Sequence, residues 1–445
     1  MITLRNILVG VLVSSVFLLT GCGDDDDESV TVTAMDAAFE LLAVEENAGI
    51  RNADILEKTA RVENILGAIQ TVIEGGASPV ADAEVAYGSK PIGQVGSAEA
   101  IISYPGIDLD LDGMPDDIGR MIEVRFDGDT QFADAGLRYG VMLPWPVVAY
   151  TESTTDRILV VAAVPETWVR TFMRDSGNLE MLIDEAVDRR QDLEELVAEA
   201  VEALGFDIRN EAFAGGPVLS DNRIAELEGM FGPLNAQFSA PSRTLTTGFV
   251  GADTVAMAIE NAFLADTVPD LDGDGLAGAA GDDGVLPSAM MGFLMGTLSA
   301  EDFGQMLADG AQVWAEGATF QDWVLNRTLS IPDSSAQEMQ LVQVCQGFYV
   351  GTSLGFGMHH LPVMPCGIGV WEDETGVHVS IIDTRFLFGY FWSDVSLDPS
   401  DPMAQLFGIF PTFVYNELVA TVNGALEGLG IPETDQFALE PIPTQ

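Results

Sequence analysis

The chain has 445 residues, 70 of them acidic and 18 basic, with a formal net charge of −52. Such a surface repels phosphate backbones, which excludes nucleic acid as a partner, and it repels anionic lipid headgroups too. At 47% hydrophobic residues the chain can still fill packed cores, so it is not a disordered polyanion, and its two lysines, Lys58 and Lys90, suggest a marine or halophilic host.

MITLRN carries one cation, Arg5, and Ile7 to Leu19 then forms an apolar run broken only by two serines and a glycine. That run is too short to span a bilayer and suits the core of a signal peptide, residues 1–21. Leu19-Thr20-Gly21-Cys22 resembles the lipobox of bacterial lipoproteins, which implies cleavage before Cys22 and acylation of its sulfur. The alternative is an ordinary secretory signal with a coincidental cysteine. Gly23 stands where many inner-membrane lipoproteins carry aspartate, so the expected address is the outer membrane of the cell envelope. Residues 22–35 are rich in aspartate and read as a solvated tether.

DLDLDGMPDD (108–117) follows. Asp108, Asp110, Asp112 and Asp116 or Asp117 take a spacing that wraps oxygen ligands around a hard cation. IEVRF (122–126) reads as a strand, PVVAYTE and RILVVAAV as a hairpin around STTD, and Leu193, Leu196, Val197, Ala200, Val201 and Leu204 as the apolar stripe of a helix. Glycine, proline and serine enrich 211–245, the expected linker. DLDGDGLAGAAGDDG (270–284) offers a second calcium-like loop through Asp270, Asp272 and Asp274. Neither loop has a glutamate at its twelfth position, so both resemble dockerin and thrombospondin-type loops more than sensor hands. A solvated acidic turn is the plainer reading of each. The methionine-rich 288–314 reads as a packed helix.

The second half repeats the first. Pro144 aligns with Pro365, Tyr150 with Trp371, Glu152 with Asp373, Val160 with Val379, and ELVAEAVEALG (195–205) with ELVATVNGALEGLG (417–430). The expectation is an α+β fold of two duplicated domains, 36–210 and 246–432, each a small β-sheet with packed helices, followed by a tail at 433–445. Over about 336–392, LVQVCQGFYVGTSLG and PCGIGVWEDETGVHVS resemble the bacterial and archaeal family called domain of unknown function 302. That resemblance implies a compact α+β domain and no agreed activity.

Cys345 and Cys366 are both absent from the first copy, where Arg125 and Trp145 stand instead. An exported protein favours a disulfide between them, closing a loop of about twenty residues and stabilising by roughly 3 kcal/mol. Two alternatives stay open. The thiols can be buried as small hydrophobes, or they can join His359 or His360 in a soft-metal or thiol-redox site. Adjacent histidines point apart on a helix or a strand, which limits the second alternative to one imidazole. No G-x-S-x-G, H-E-x-x-H or phosphate loop orders a catalytic set. The expected protein is therefore a non-enzymatic envelope lipoprotein, calcium-stabilised, anchored to the membrane by lipid. Its protein or small-molecule partner is not readable.

Overall fold

The computed structural model describes residues 37–75, 83–85, 117–213, 225, 242–245, 250–264, 323–346, 357–364, 366–391 and 402–440. Cys22, the tether, segment 288–314 and every calcium-loop aspartate except Asp117 lie outside them.

The first repeat runs β1 (Phe39–Glu45), α1 (Ile55–Gly75), β2 (Ala83–Val85), β3 (Gly119–Phe126), a 3-10 connector (Leu137–Met142), β4 (Trp145–Glu152) and β5 (Arg157–Ala163). It closes with α2 (Pro165–Phe172), α3 (Leu179–Glu202) and β6 (Asp207–Ala212). The second runs β7 (Ser242–Leu245), α4 (Ala252–Leu264), β8 (Trp323–Pro332), β9 (Glu338–Gln346), a 3-10 connector (Met358–Val363), β10 (Cys366–Asp373), β11 (Gly376–Ile381), α5 (Thr384–Phe391) and α6 (Pro402–Gly428). The sheets are ordered β2-β3-β4-β5-β1-β6 and β8-β9-β10-β11-β7, the same order but for the added β6. Every pairing is antiparallel, and the fold is α+β with two sheet-containing domains.

Register establishes the duplication residue by residue. Val124 faces Trp145 as Val344 faces Cys366, and Gly119 faces Tyr150 as Met339 faces Trp371. Both hairpins turn through left-handed backbone, at Asp156 (φ 60°) and at Gly376 (φ 139°). Pro165 opens α2, where its missing N–H costs nothing. The stripe Leu193, Leu196, Val197, Ala200 and Val201 is buried in α3.

Residues Trp145 to Thr151 of β4 are all buried, as in a sheet covered on both faces. α1 packs on β3 and β4, α3 packs on β1, and the second repeat supplies further cover. Its connector, Met358–Val363, packs on β3, β4 and β5, while the first connector, Leu137–Met142, packs on β9, β10 and β11. Each repeat thus inserts its own connector against the other's sheet. One continuous apolar core runs through both. Among the described residues no helix is long and apolar enough to cross a membrane.

Two expected boundaries are corrected. The supposed linker 211–245 begins inside β6 and ends as β7, because backbone pairing to β1 and β11 outweighs its turn-rich composition. The expected tail is docked as far as Glu440. Asn416 Nδ2 donates to the Glu440 carbonyl at 2.8 Å and Asn423 Nδ2 to that of Phe437 at 2.8 Å.

Candidate functional site at the repeat junction

The histidines of the second connector meet the first repeat. A 3-10 turn brings the His359 and His360 rings to 4.1 Å between centroids, so the expectation that neighbouring histidines diverge is corrected. His359 stacks on Phe213 at 4.9 Å, and Phe39 presents its ring edge-on to both histidines, at 5.5 and 5.2 Å. His360 is fully buried, while His359 and Phe213 are half-buried, so solvent reaches this aromatic clasp along their stacked rings. Chemically it joins the second connector to β1 and the end of β6, with one imidazole at the surface.

The expected Cys345–Cys366 bridge is not formed. Cys366 is a free, buried thiol, and the residue facing it in β9 is Val344. Burial pushes the Cys366 thiol up to about 12, which leaves it a packed hydrophobe with little thiolate at neutral pH. Among the described residues no group of three or more His, Cys, Asp or Glu is disposed to hold a metal ion.

Asp117, counted above among the calcium ligands, faces inward. Its Oδ1 accepts from Ser153 N at 2.8 Å, Ser153 Oγ at 2.7 Å and Thr151 Oγ1 at 3.0 Å, and burial raises its pKa. Lys58, also buried, donates to Ser153 Oγ at 2.7 Å. Asp117 therefore pins the entry of β3 to the exit of β4, and its Oδ1 is fully engaged within the fold.

His378 stands apart from the other two histidines. Its Nε2 lies 2.9 Å from Asp373 Oδ1 and its Nδ1 3.0 Å from Thr244 Oγ1, with the ring stacked on Trp371. Desolvation pushes the Asp373 carboxyl up, but hydrogen bonds from Thr375 and His378 outweigh it and hold the group at about 2. This string ties edge strand β7 to the β10–β11 hairpin.

The strongest electrostatic features were missed from the sequence. Arg190 grips Glu40 with two hydrogen bonds, 2.6 and 2.5 Å, while Glu194 lies 3.1 Å and Glu166 3.8 Å away. Glu40 and Glu166 are 2% and 1% exposed, so two buried carboxylates share one guanidinium. Arg189 faces Asp129 at 3.3 Å and Glu185 at 2.6 Å and pairs with Asp192. Asp129 accepts from Phe126 N at 2.8 Å and from Trp145 Nε1 at 3.1 Å. Burial lifts Asp129 to about 7, and burial with Glu40 nearby lifts Glu194 to about 7. One signal existed: Arg189-Arg190 is the only adjacent basic pair in the sequence, set in an otherwise acidic helix.

No family model matches the chain, and no curated protein or solved structure matches it either.

Proposed function

We propose that the protein is a lipid-anchored binding or structural protein of the cell envelope, attached through Cys22 to the outer membrane and stabilised by calcium. Its two fused repeats stand off the bilayer on the acidic tether. The observation that carries this reading is where the cations go. Arg61 pairs with Glu45, Arg138 with Asp175, Arg157 with Glu152, Arg189 and Arg190 with the carboxylates named above, and Arg385 with Asp383. With 70 acids against 18 bases in the sequence, and these six arginines already paired with carboxylates, the charge left over is carboxylate. Its counter-charge comes from the medium, and the alternating aspartates of Asp108–Asp112 and Asp270–Asp274 have the spacing to gather it as calcium.

Two measurements test the two halves of the reading. The cell-expressed protein should partition into the detergent phase and carry acyl mass on Cys22, and Cys22→Ala should move it to the aqueous phase. Equal partitioning of the two would remove the anchor. Millimolar calcium, compared with chelator, should raise the melting temperature of the fragment from Gly23 onward by several degrees more than sodium at equal ionic strength. Equal melting temperatures would remove the calcium.

A further inference from the structure

The two repeats meet through corresponding positions, yet those positions are filled by opposite sizes. Gly119 opens β3, and Met339 holds the same place in β9, as their partners Tyr150 and Trp371 establish. Gly140 is fourth in the first connector and Leu361 fourth in the second. A Cβ on Gly119 would lie 2.9 Å from Leu361 Cδ2 and 2.8 Å from Met358 Cε. A Cβ on Gly140 would lie 2.6 Å from Met339 Cε and 3.2 Å from Ile331 Cγ2. In one contact the strand is small and the connector large, and in its mate the strand is large and the connector small. Within the second repeat's own sheet, Gly369 also leaves room for Met339: a Cβ there would sit 2.4 Å from Met339 Sδ, whereas the matching residue of β4 is Val148.

Backbone conformation does not account for the first two glycines, since neither Gly119 nor Gly140 has left-handed φ. Space does. Two copies of the first repeat would set Gly119 against Gly140 and leave a void, and would set Glu123 against Glu123. Two copies of the second would drive Met339 into Leu361. Voids and overlaps in a packed interior each cost stability.

We infer that this interface is a keyed surface: each repeat carries a recognition face whose fitting partner is the unlike repeat of its own chain, and like repeats are excluded by size and charge. The chain is in effect a fused heterodimer, and specificity of this kind rests on what is rejected as much as on what fits.

The test is a double-mutant cycle in the full soluble chain, from Gly23 onward, read by denaturant unfolding. Gly140→Ala should lower the folding equilibrium constant at least tenfold through overlap with Met339. Met339→Ala should lower it comparably through the void. Combined, the two should recover most of the loss, because truncating Met339 removes the atom that a methyl group added at Gly140 would meet. Purely additive losses, or a neutral Gly140→Ala, would overturn the inference. The milder pair Gly140→Ala and Met339→Leu keeps the cycle readable if the Met339→Ala protein does not fold. Size-exclusion of each single variant adds a second reading: loosening the keyed pair should leave a monomer, and a stable dimer of either variant would overturn the exclusion of like faces.

Discussion

Glu123 of β3 and Gln343 of β9 hold the same position in the two repeats and bond to each other, Gln343 Nε2 donating to Glu123 Oε1 at 3.1 Å. They are 2% and 4% exposed. A contact between equivalent residues marks where the approximate twofold relation of the repeats passes, and here it joins an acid to an amide. Gln343→Glu would place two carboxylates together in a buried site, where they cannot both ionise. Its stability should fall by a few kcal/mol at pH 8 and largely return at pH 5, whereas Glu123→Gln should cost far less at either pH. Denaturant titrations of both variants at the two pH values check this, and a Gln343→Glu protein equally stable at both would contradict it.

Arg190 is the cation of the α3–β1 contact. Arg190→Met leaves Glu40 and Glu166 buried without it, a loss of about 3–5 kcal/mol for a broken buried pair. Adding Glu40→Met removes one stranded charge, so the double variant should be more stable than Arg190→Met alone. Urea unfolding of the three proteins decides it, and a double variant that loses the sum of the singles would refute the coupling.

The pH dependence of stability has a defined sign in this region. Asp129 and Glu194 sit at about 7 in the folded protein against ordinary values of 3.8 and 4.5. The folded state therefore binds these protons more tightly than the unfolded chain does. Their stabilising contribution is complete below about pH 4 and is lost as pH rises through 7. Asp129→Asn keeps an oxygen for Phe126 N but cannot ionise, so it should flatten the fall in melting temperature between pH 4.5 and 7.5. An unchanged slope would show that Asp129 is not its source.

Cys366 should resist alkylation in the native protein and react fully once the chain is unfolded, with no reductant required. Reductant should leave the melting temperature unchanged. A mass two hydrogens short, together with no labelling after unfolding, would instead establish the disulfide that the free thiol and the Cys366–Val344 register argue against.

Asp117→Ala removes the acceptor shared by Ser153 and Thr151 and should cost about 1–3 kcal/mol, the penalty for stranding buried donors. The loss should be the same with calcium or with chelator. A loss seen only in the presence of calcium would make Asp117 a ligand after all.

Much of each repeat was legible because its signals are local. The alternating run 122–126, the turn STTD, and the stripe from Leu193 to Val201 are signals that a short window contains. The equivalence of Arg125 with Cys345 and of Trp145 with Cys366 came from alignment alone, and the strand registers match it. β6 escaped because DIRNEA has no apolar alternation and pairs only with a distant β1. The bridge was misjudged for a related reason: proximity along the chain and shared absence from the first copy say nothing about which residue of β9 comes to face Cys366, and that residue is Val344.

By itself, then, the sequence determined the duplicated α+β elements, the anionic surface and the excess of acids over bases, since these follow from local pattern and composition. Only the tertiary structure decided that Leu137–Met142 and Met358–Val363 exchange sheets, that Arg190 answers Glu40 from 150 residues away, and that Gly119 and Gly140 make room for Leu361 and Met339. Those outcomes depend on volume and charge meeting across long sequence separations, where no short window holds both partners.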